Sequence, residues 1–491
     1  MVIFRRLGLF ALVALVPLLL ANVALAQSPG PRTSDRDSNF DLLGDLDMEA
    51  EAAAAAPTED ENVLHKFVGN VSGSLRLRGQ QFVDSVDTSG NPNIDREDSF
   101  GEITLNLESY TGGDNWRLGM SGWLETGNQA HTYAGVTHYL QDRQSKRRYG
   151  QLNESFLMFT GLDLGPGELD ITLGKRLLKN GIATLYSPGD RYSATDFTDP
   201  MDSRMLGAWQ ARFDYAFDNF VLTAALLPVY QRSIEPHQNS RWLANSIDFS
   251  FPGGPPPGFD PTLFRVKTDV PSLDADNMSY FARLSGTIAG WDFFVAPFWG
   301  MSAAFVQRAS NTDPNLIIKD VPNVFNLSAG FATVLFERIQ FHGDSLYNWT
   351  KNDEDDHFFT GVIGFTYKID PLPSWLHSDW LEFTIEYAGE KIIDSQDATG
   401  FVSSSKDGRL GRNNLLVAAT YKVNEDLTFQ INAANEIQRT DHLFHVEAKY
   451  RIWTDFYGII GFDEFGGDDN DTFYGRWEDN DRLTGTFEYV F

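Results

Sequence analysis

Arginine residues alternate with apolar residues in several parts of this sequence. Arg76 and Arg78, for example, alternate with Leu75 and Leu77. Successive side chains of a β-strand point to opposite faces, so this spacing places the guanidinium groups together on one face. A guanidinium group stays charged and pairs with a carboxylate through two parallel hydrogen bonds. The pattern therefore indicates a surface that could bind carboxylates.

The same alternation places eight cationic residues on the polar faces of candidate strands. They are Arg76, Arg78, Arg176, Arg212, Arg283, Arg338, Lys449 and Arg451. Acidic residues such as Glu102, Asp170 and Glu386 fall on the same predicted faces. The cations could bind a ligand, or they could be neutralised by these acids in a purely structural network. A register error of one residue would move a whole strand's side chains to the other face.

We find no residue pattern that predicts catalysis. The nine histidines are scattered, and the chain has neither a Gly-x-Ser-x-Gly elbow nor a His-Glu-x-x-His pair. The acidic clusters at 353–356 and 468–471 lack the spacing of an EF-hand, and we interpret them as solvated loops. We predict no catalytic residue, no cofactor and no metal site. The net charge of −29 argues against a nucleic-acid partner.

A period-two pattern of apolar and polar residues extends from about Ser72 to Phe491. We count eighteen candidate strands, although sixteen or twenty remain possible. Their first residues lie near 72, 100, 116, 152, 168, 206, 219, 279, 291, 323, 337, 357, 379, 412, 426, 442, 455 and 482. Many are close to the ten or so residues that a tilted membrane-spanning strand needs.

The lengths of the connections alternate along the chain. Long connections follow the odd-numbered strands, and most of those after even-numbered strands are tight turns. Long loops at one end and short turns at the other are typical of outer-membrane barrels. We therefore predict an all-β fold over residues 65–491, a transmembrane antiparallel β-barrel with short periplasmic turns and long extracellular loops. The longest loop, 232–277, could fold inward as a plug or lie at the surface.

The first residues have the features of a secretory signal peptide. Arg5 and Arg6 precede an apolar run, and Ala24-Leu25-Ala26 provides a small-x-small cleavage site, so we predict a signal over residues 1–26. Residues 27–64 hold ten acidic and two basic residues. This composition predicts a flexible acidic segment in the periplasm. We expect the protein to be localised in the outer membrane of a Gram-negative cell.

The last strand ends in alternating aromatic residues, with Phe487, Tyr489 and Phe491 on one face. An amphipathic strand of this kind can pair edge to edge with the barrel-assembly machinery before the barrel closes. We therefore expect that machinery, outer-membrane lipid and lipopolysaccharide as partners.

The stretch from Leu152 to Gln231 contains the segment Gly174-Lys175-Arg176-Leu177-Leu178-Lys179-Asn180, followed by Pro188-Gly189-Asp190. The first segment is similar to the Gly-Arg-Gln-x-Leu-x-Asn motif of the alginate-export family of outer-membrane barrels, and the second is similar to the Pro-x-Asp shared by related porin-like families. The resemblance covers about eighty residues. It implies an eighteen-stranded barrel that exports an acidic, alginate-like polysaccharide through an arginine-containing lumen. Of the eight cations, only Arg176 falls on the family motif.

Three functions remain open on the sequence alone. The first is passive export of an acidic exopolysaccharide, and the second is a general or substrate-selective diffusion porin for small solutes. The third is a structural barrel with a plugged lumen. Clustered and unpaired arginines would favour export, whereas mixed charges around a constriction would favour a porin.

Overall fold

The computed structural model describes residues 67–86, 93–129, 132–136, 141, 146–243, 257–263, 265–336, 338–351, 355–373, 378–394, 412–467 and 472–491. The predicted signal peptide, the acidic segment 27–64 and the acidic cluster 468–471 lie outside these residues, as do residues 353 and 354 of the cluster 353–356. Among the described residues, no helix has the length and apolarity to cross a bilayer, a result that concerns helices only.

Eighteen antiparallel strands form one sheet, and each strand pairs with its neighbours in sequence. They are β1 Val71–Phe82, β2 Ser99–Gly113, β3 Trp116–Gly127, β4 Gly150–Leu164, β5 Gly167–Arg176, β6 Ala208–Phe217, β7 Phe220–Leu227, β8 Ser279–Ile288, β9 Trp291–Met301, β10 Asn323–Leu335, β11 Ile339–Thr350, β12 His357–Ile369, β13 Trp380–Asp394, β14 Asn413–Lys422, β15 Leu427–Glu436, β16 His442–Trp453, β17 Phe456–Gly466 and β18 Arg482–Val490. The predicted count is confirmed, and each predicted start lies within two residues of the observed one.

The sheet closes on itself because β18 pairs with β1. The paired residues run from Ser74 opposite Val490 to Phe82 opposite Arg482. The backbone of Phe491 continues this seam, since its N–H donates to the carbonyl of Gly73 and its carbonyl accepts the N–H of Gly73. Closure leaves no unpaired edge, which is the condition for a β-structure to cross a bilayer.

Side chains alternate between the two faces of the barrel wall as predicted. On β12, Phe359 and Ile363 are exposed outward, whereas Thr360 and Val362 point inward and are buried. An apolar outer face and a more polar inner face suit a barrel that is surrounded by lipid. The barrel is therefore an outer-membrane protein, and the ends of the barrel are named extracellular (long loops) and periplasmic (short turns).

The periplasmic turns are short except at one place. Two-residue connections join β4 to β5, β6 to β7, β8 to β9 and β16 to β17, whereas residues 370–379 form a longer connection. In the β8–β9 turn, Ala289 and Gly290 both have positive φ values of 52° and 80°. Positive φ at both central residues fits the twist of a two-residue hairpin.

Pro297 on β9 interrupts the ladder of hydrogen bonds without causing a bulge. Pro297 pairs in register with Leu327 on β10. Toward β8, pairing is interrupted between Phe298 and Val295, but the register does not shift. Proline has no N–H, so it leaves a gap in the ladder without adding a residue.

Several short elements lie in the connections. The short 3-10 helices are Pro188–Asp190, Pro200–Asp202, Arg241–Leu243, Pro261–Leu263, Ala275–Asn277 and Gly475–Asn480, of which the last is kinked at Trp477. The strands Thr195–Asp196 and Arg204–Met205 pair with each other, and Arg265–Thr268, Val306–Ala309 and Leu316–Asp320 form a small separate sheet. We call residues 177–207, between β5 and β6, the constriction loop, because its contacts place it inside the barrel.

Candidate functional site

The tip of the constriction loop is bound to the opposite wall of the barrel. The Glu386 carboxylate on β13 accepts backbone N–H hydrogen bonds from Thr184 at 2.7 Å, Leu185 at 3.1 Å and Tyr186 at 3.2 Å. The strand β13 lies eight positions from β5 around a barrel of eighteen strands. The loop therefore leaves the wall at β5 and crosses the lumen, and its tip contacts the opposite wall at β13.

His342 on β11 supports Glu386 from the side. Its Nε2 atom lies 2.8 Å from Glu386 Oε1, and both side chains are fully buried. His342 therefore faces the lumen. The imidazole adds a further hydrogen-bond partner to a carboxylate that is removed from bulk water. Hydrogen bonds to a charged group are the stronger kind, so this cluster fixes the loop tip firmly.

Two further hydrogen bonds hold the residues on either side of the tip. The Ser187 hydroxyl donates to Asp344 Oδ2 at 2.6 Å, and Asn180 Nδ2 donates to Ser328 Oγ at 2.8 Å. The motif Pro188-Gly189-Asp190 folds the loop on itself, because Asp190 Oδ1 accepts the N–H groups of Asn180 and Gly181. The local sequence thus sets the loop's conformation, and β10 and β11 set its position.

Apolar packing fills the space between the loop and the wall from β7 to β10. Tyr192 stacks on Phe298 with ring centroids 5.1 Å apart and contacts Phe281 at 5.4 Å. Leu178 and Ile182 belong to the same buried cluster. Burying side chains of this size contributes about 1.5–3 kcal/mol each, so the loop is part of the barrel's core rather than a mobile surface segment.

Residues 196–204 form the returning limb of the constriction loop. This limb joins a network of buried ion pairs. Asp199 binds Arg482 at 2.7 Å and Arg78 at 3.4 Å, and Arg78 also binds Asp202 at 3.2 Å. Arg204 of the same limb binds Asp202 at 3.0 Å. These contacts tie the limb to β1 and β18.

A second part of the network connects the limb to β3. Glu125 accepts from Arg204 at 2.6 Å and from Arg147 at 2.9 Å, and Arg147 also binds Asp196 at 2.8 Å. Arg147 lies in the β3–β4 loop. The network therefore fixes the returning limb on the wall formed by β18, β1 and β3, while Glu386 on β13 fixes the tip.

The charged partners determine the protonation state of the limb. Burial alone would raise the pKa of Asp199, but the guanidinium groups of Arg482 and Arg78 outweigh burial and hold this pKa below its usual range. Burial likewise opposes the effect of Arg204 and Arg78 on Asp202, and its pKa is also lowered. Both carboxylates are therefore ionised at neutral pH and keep the limb attached.

Most of the eight predicted cations have acidic neighbours. Arg78 is paired as described, and Arg212 lies 2.7 Å from Asp214. Arg76 and Lys449 both approach Glu488, at 3.7 and 3.6 Å. Arg451 pairs with Asp426 at 2.7 Å in the short turn before β15. The interpretation that acids neutralise the inner cations therefore holds for these residues, and their binding of a substrate stays a prediction.

Arg176 and Arg283 differ from the others, because neither makes an ion pair with any residue that the structure describes. The Arg283 guanidinium lies over the Phe294 ring, 5.0 Å from its centroid, and its Nε has no hydrogen-bond partner among the described groups. Arg176 lies 4.8 Å from the centroid of Phe156. These contacts hold the two cations by cation–π interaction and leave hydrogen-bonding capacity at both.

Arg338 does not lie on a strand, which corrects its predicted position. It is exposed in the turn between β10 and β11, at the periplasmic end of the barrel. The predicted strand starts near 337, whereas β11 begins at Ile339 because the chain turns at Phe336, whose φ is 52°. The turn moves Arg338 off the inner face.

Three arginines that matter to the site were not predicted. Arg147 and Arg204 lie in loops, and Arg482 is the first residue of β18. Strand alternation gives no information about loop side chains, and the partners of Arg482 are distant in sequence. The clustering of Asp196, Asp199, Asp202 and Arg204 in one loop was the available signal for an ion-pair site.

Part of the long β7–β8 loop also crosses the extracellular opening. Arg241 is fully buried and donates to Asn480 Oδ1 at 2.8 Å and to the carbonyl of Asp84 at 3.0 Å. Trp242 packs against Phe465 and Trp477. These partners belong to the side of β17, β18 and β1, so residues 228–243 fold inward over the opening, which is one of the two positions that the sequence allowed for this loop.

Solved structures of two porins are similar to this chain over most of its length. OccK3 (OpdO) of Pseudomonas aeruginosa is 10% identical, covers 88% of this chain and 99% of its own, and has a TM-score of 0.46. A double mutant of the Rh. blastica porin is 10% identical, covers 86% of this chain and 99% of its own, and has a TM-score of 0.34. At these TM-scores neither porin carries an argument about the fold of this barrel or about the solute that it transports.

No family model matches the chain, and no curated protein matches it. Membership of the alginate-export family, which the residues around Arg176 suggested, therefore stays a prediction. The closed barrel and the constriction loop establish a porin-like architecture without that family.

Proposed function

We propose that this porin-like barrel is a substrate-selective diffusion channel for small solutes that carry a carboxylate. The observation that supports this proposal best is the constriction loop, held to β13 through Glu386 and to β1, β3 and β18 through ion pairs. A loop fixed at both sides of the lumen narrows the path for solutes. Such an arrangement favours small molecules over a hydrated polymer.

The preference for carboxylates rests on Arg176 and Arg283. Neither makes an ion pair with a described residue, and the Arg283 side chain lies against Phe294 rather than in open water. A cation that is shielded from water and makes no ion pair interacts most strongly with an anionic solute that enters the lumen. Arg212 lies on β6, the strand next to β5, which carries Arg176. It adds positive charge to the lumen, although Asp214 offsets this charge.

Export of an acidic, alginate-like polysaccharide is the second candidate. The observation in its favour is Arg176, the one cation on the motif that resembles the export family, which makes no ion pair with a described residue. Under this function a polyuronate would enter the lumen and block the ionic current. The two candidate functions therefore differ in how the block of the ionic current depends on the length of the uronate polymer.

Planar-bilayer recording of the purified barrel separates the two functions. We expect an anion-selective reversal potential in a salt gradient, and a reduction of the current by a monomeric uronate at millimolar concentration. A polyuronate of the same uronate concentration should have a smaller effect. Stronger block by the polymer would favour export, and cation selectivity would contradict both functions.

Replacing Arg283 should weaken the anion selectivity. In Arg283→Gln the side chain keeps much of its length and loses its charge, so we expect the reversal potential to move toward zero and the block by a monomeric uronate to weaken. Arg451→Gln is the matched control, since Arg451 is paired with Asp426 at the periplasmic rim. Equal shifts in both variants would show that net charge, rather than the position of Arg283, sets the selectivity.

A further inference from the structure

A groove lies on the outer, lipid-facing surface of the barrel between β9 and β14. It has a volume of about 870 Å³. Its floor is formed by residues with small side chains on four adjacent strands, namely Ala329, Ser345, Gly361 and Gly389, each directly paired with the next. The groove is therefore a depression in the barrel wall and not a space inside the lumen.

Large apolar side chains form the walls of the groove. Phe359, Ile363 and Tyr387 flank the floor and are 46%, 46% and 44% exposed. A Cβ atom added at Gly361 would meet its nearest neighbours at 3.5 Å, and one at Gly389 at 3.4 Å, so the floor has room for added atoms. An apolar channel with open space suits a flexible hydrocarbon chain.

The row of floor residues runs obliquely through the outer half of the membrane. Three strand spacings separate Ala329 from Gly389, which is about 14 Å. One leaflet of the hydrocarbon core is about 15 Å thick. Because barrel strands are tilted by about 35–45°, a row across the strands slopes through the leaflet instead of following its plane.

The extracellular end of the groove is polar, and its charged residues are Lys391, Arg412 and Glu390. Lys391 is exposed two residues beyond Gly389 on the same face of β13, and Arg412 and Asn413 line the groove beside it. Lys391 makes no ion pair with any described residue. The two basic side chains Lys391 and Arg412 at this end contrast with the net charge of −29 of the whole chain. Their charge is complementary to a phosphate at the membrane surface.

We infer that this groove binds an acyl chain of a phosphorylated glycolipid of the outer leaflet, with the lipid phosphate at Lys391 and Arg412. The apolar floor and walls take the hydrocarbon, and the basic end takes the headgroup. The inference is independent of the transported solute.

Native mass spectrometry of the purified full-length barrel tests the site. The protein is placed in phosphatidylcholine nanodiscs with a small fraction of lipid A, or with the same glycolipid lacking its phosphates, and the retained glycolipid is counted after detergent release. Wild-type protein should retain the phosphorylated lipid. Gly361→Leu, which fills the floor, should lose both glycolipids.

Lys391→Gln tests the headgroup contact separately. We expect about fivefold lower occupancy by the phosphorylated glycolipid, the effect of roughly one basic residue near a membrane surface, and unchanged occupancy by the dephosphorylated one. Gly485→Leu is the control for Gly361→Leu, because Gly485 also lies on the outer face and has no atom within 4 Å of an added Cβ. It should retain the lipid.

Two results would overturn the inference. One is equal glycolipid occupancy in wild-type protein, Gly361→Leu and Lys391→Gln. The other is a change in the number of protein copies per particle in Gly361→Leu without a change in bound lipid, which would assign the groove to contact between barrels.

Discussion

At the scale of single residues, the lumen is organised by pairing between cations of the wall and acids of the constriction loop. Arg78 and Arg482 on the wall share Asp199 of the loop, and Arg204 of the loop shares Glu125 of the wall with Arg147. Removing one partner of a buried pair leaves an uncompensated charge, which is strongly destabilising. The network therefore acts as a unit that holds the loop.

Acid should release the returning limb of the loop. The pKa values of Asp199 and Asp202 are lowered in the folded state, so their stabilising contribution is fully present above the unfolded pKa of about 3.9. It is lost as the pH falls through the lower folded-state values. We expect a thermal midpoint that is constant from pH 8 to about pH 5 and that falls below about pH 4. The midpoint is measured by circular dichroism of the β signal.

Asp199→Asn provides the comparison for the pH experiment. This variant should have a lower midpoint at neutral pH and a smaller further loss in acid, because one of the two titrating groups is gone. A midpoint that rises on acidification below pH 4, or an identical acid response in the variant, would contradict the role given to Asp199.

At the scale of elements, strand positions follow from the sequence but loop positions do not. The period-two pattern is local, which is why all eighteen strand starts could be predicted to within two residues. Arg338 was misplaced because the turn at Phe336 shifts the start of β11 by two residues. The partner of Arg78 lies more than a hundred residues away in the constriction loop, and no local pattern connects the two.

The constriction loop itself depends on close backbone approach at one glycine. A Cβ atom at Gly181 would lie 1.5 Å from Ser187 Oγ and 2.6 Å from Asp344 Oδ2. Gly181→Ala should therefore break the Ser187–Asp344 hydrogen bond and lower the free energy of unfolding by about 1–3 kcal/mol. Gly485→Ala, which adds a methyl group in open space, should leave it nearly unchanged. Urea unfolding followed by tryptophan fluorescence measures both.

If Gly181→Ala proved as stable as Gly485→Ala and retained the wild-type channel current, the loop would not be packed against β11 as described. A similar loss of stability in both variants would instead point to a general effect of alanine in the barrel wall.

At the scale of the whole molecule, closure of the barrel depends on the seam between β1 and β18. Phe491 completes this seam through its two backbone hydrogen bonds to Gly73. We propose that the aromatic face of this last strand, with Phe487 and Phe491, is also the part that the barrel-assembly machinery binds. Phe491→Ser keeps the backbone pairing and removes the aromatic ring, so it separates the two roles.

We expect Phe491→Ser to reduce the amount of folded barrel in the outer membrane several-fold, with the protein that does assemble showing a wild-type thermal midpoint. Folded and unfolded forms are distinguished by heat-modifiable mobility in gels of membrane fractions. Tyr450→Ser, which removes an aromatic ring from β16 instead, is the control. Equal losses in the two variants would indicate a general need for aromatic residues in the wall.

We expect the constriction loop, fixed to the far wall by Glu386, to set the size of the pore. The most direct test is the single-channel conductance of Glu386→Gln, compared with wild-type protein and with Glu382→Gln on the same face of β13. The amide that replaces the carboxylate in Glu386→Gln is uncharged and has one acceptor oxygen instead of two, so it cannot hold three backbone N–H groups as the carboxylate does. We therefore expect a larger and noisier conductance in Glu386→Gln only. Equal conductance in all three proteins would contradict the claim.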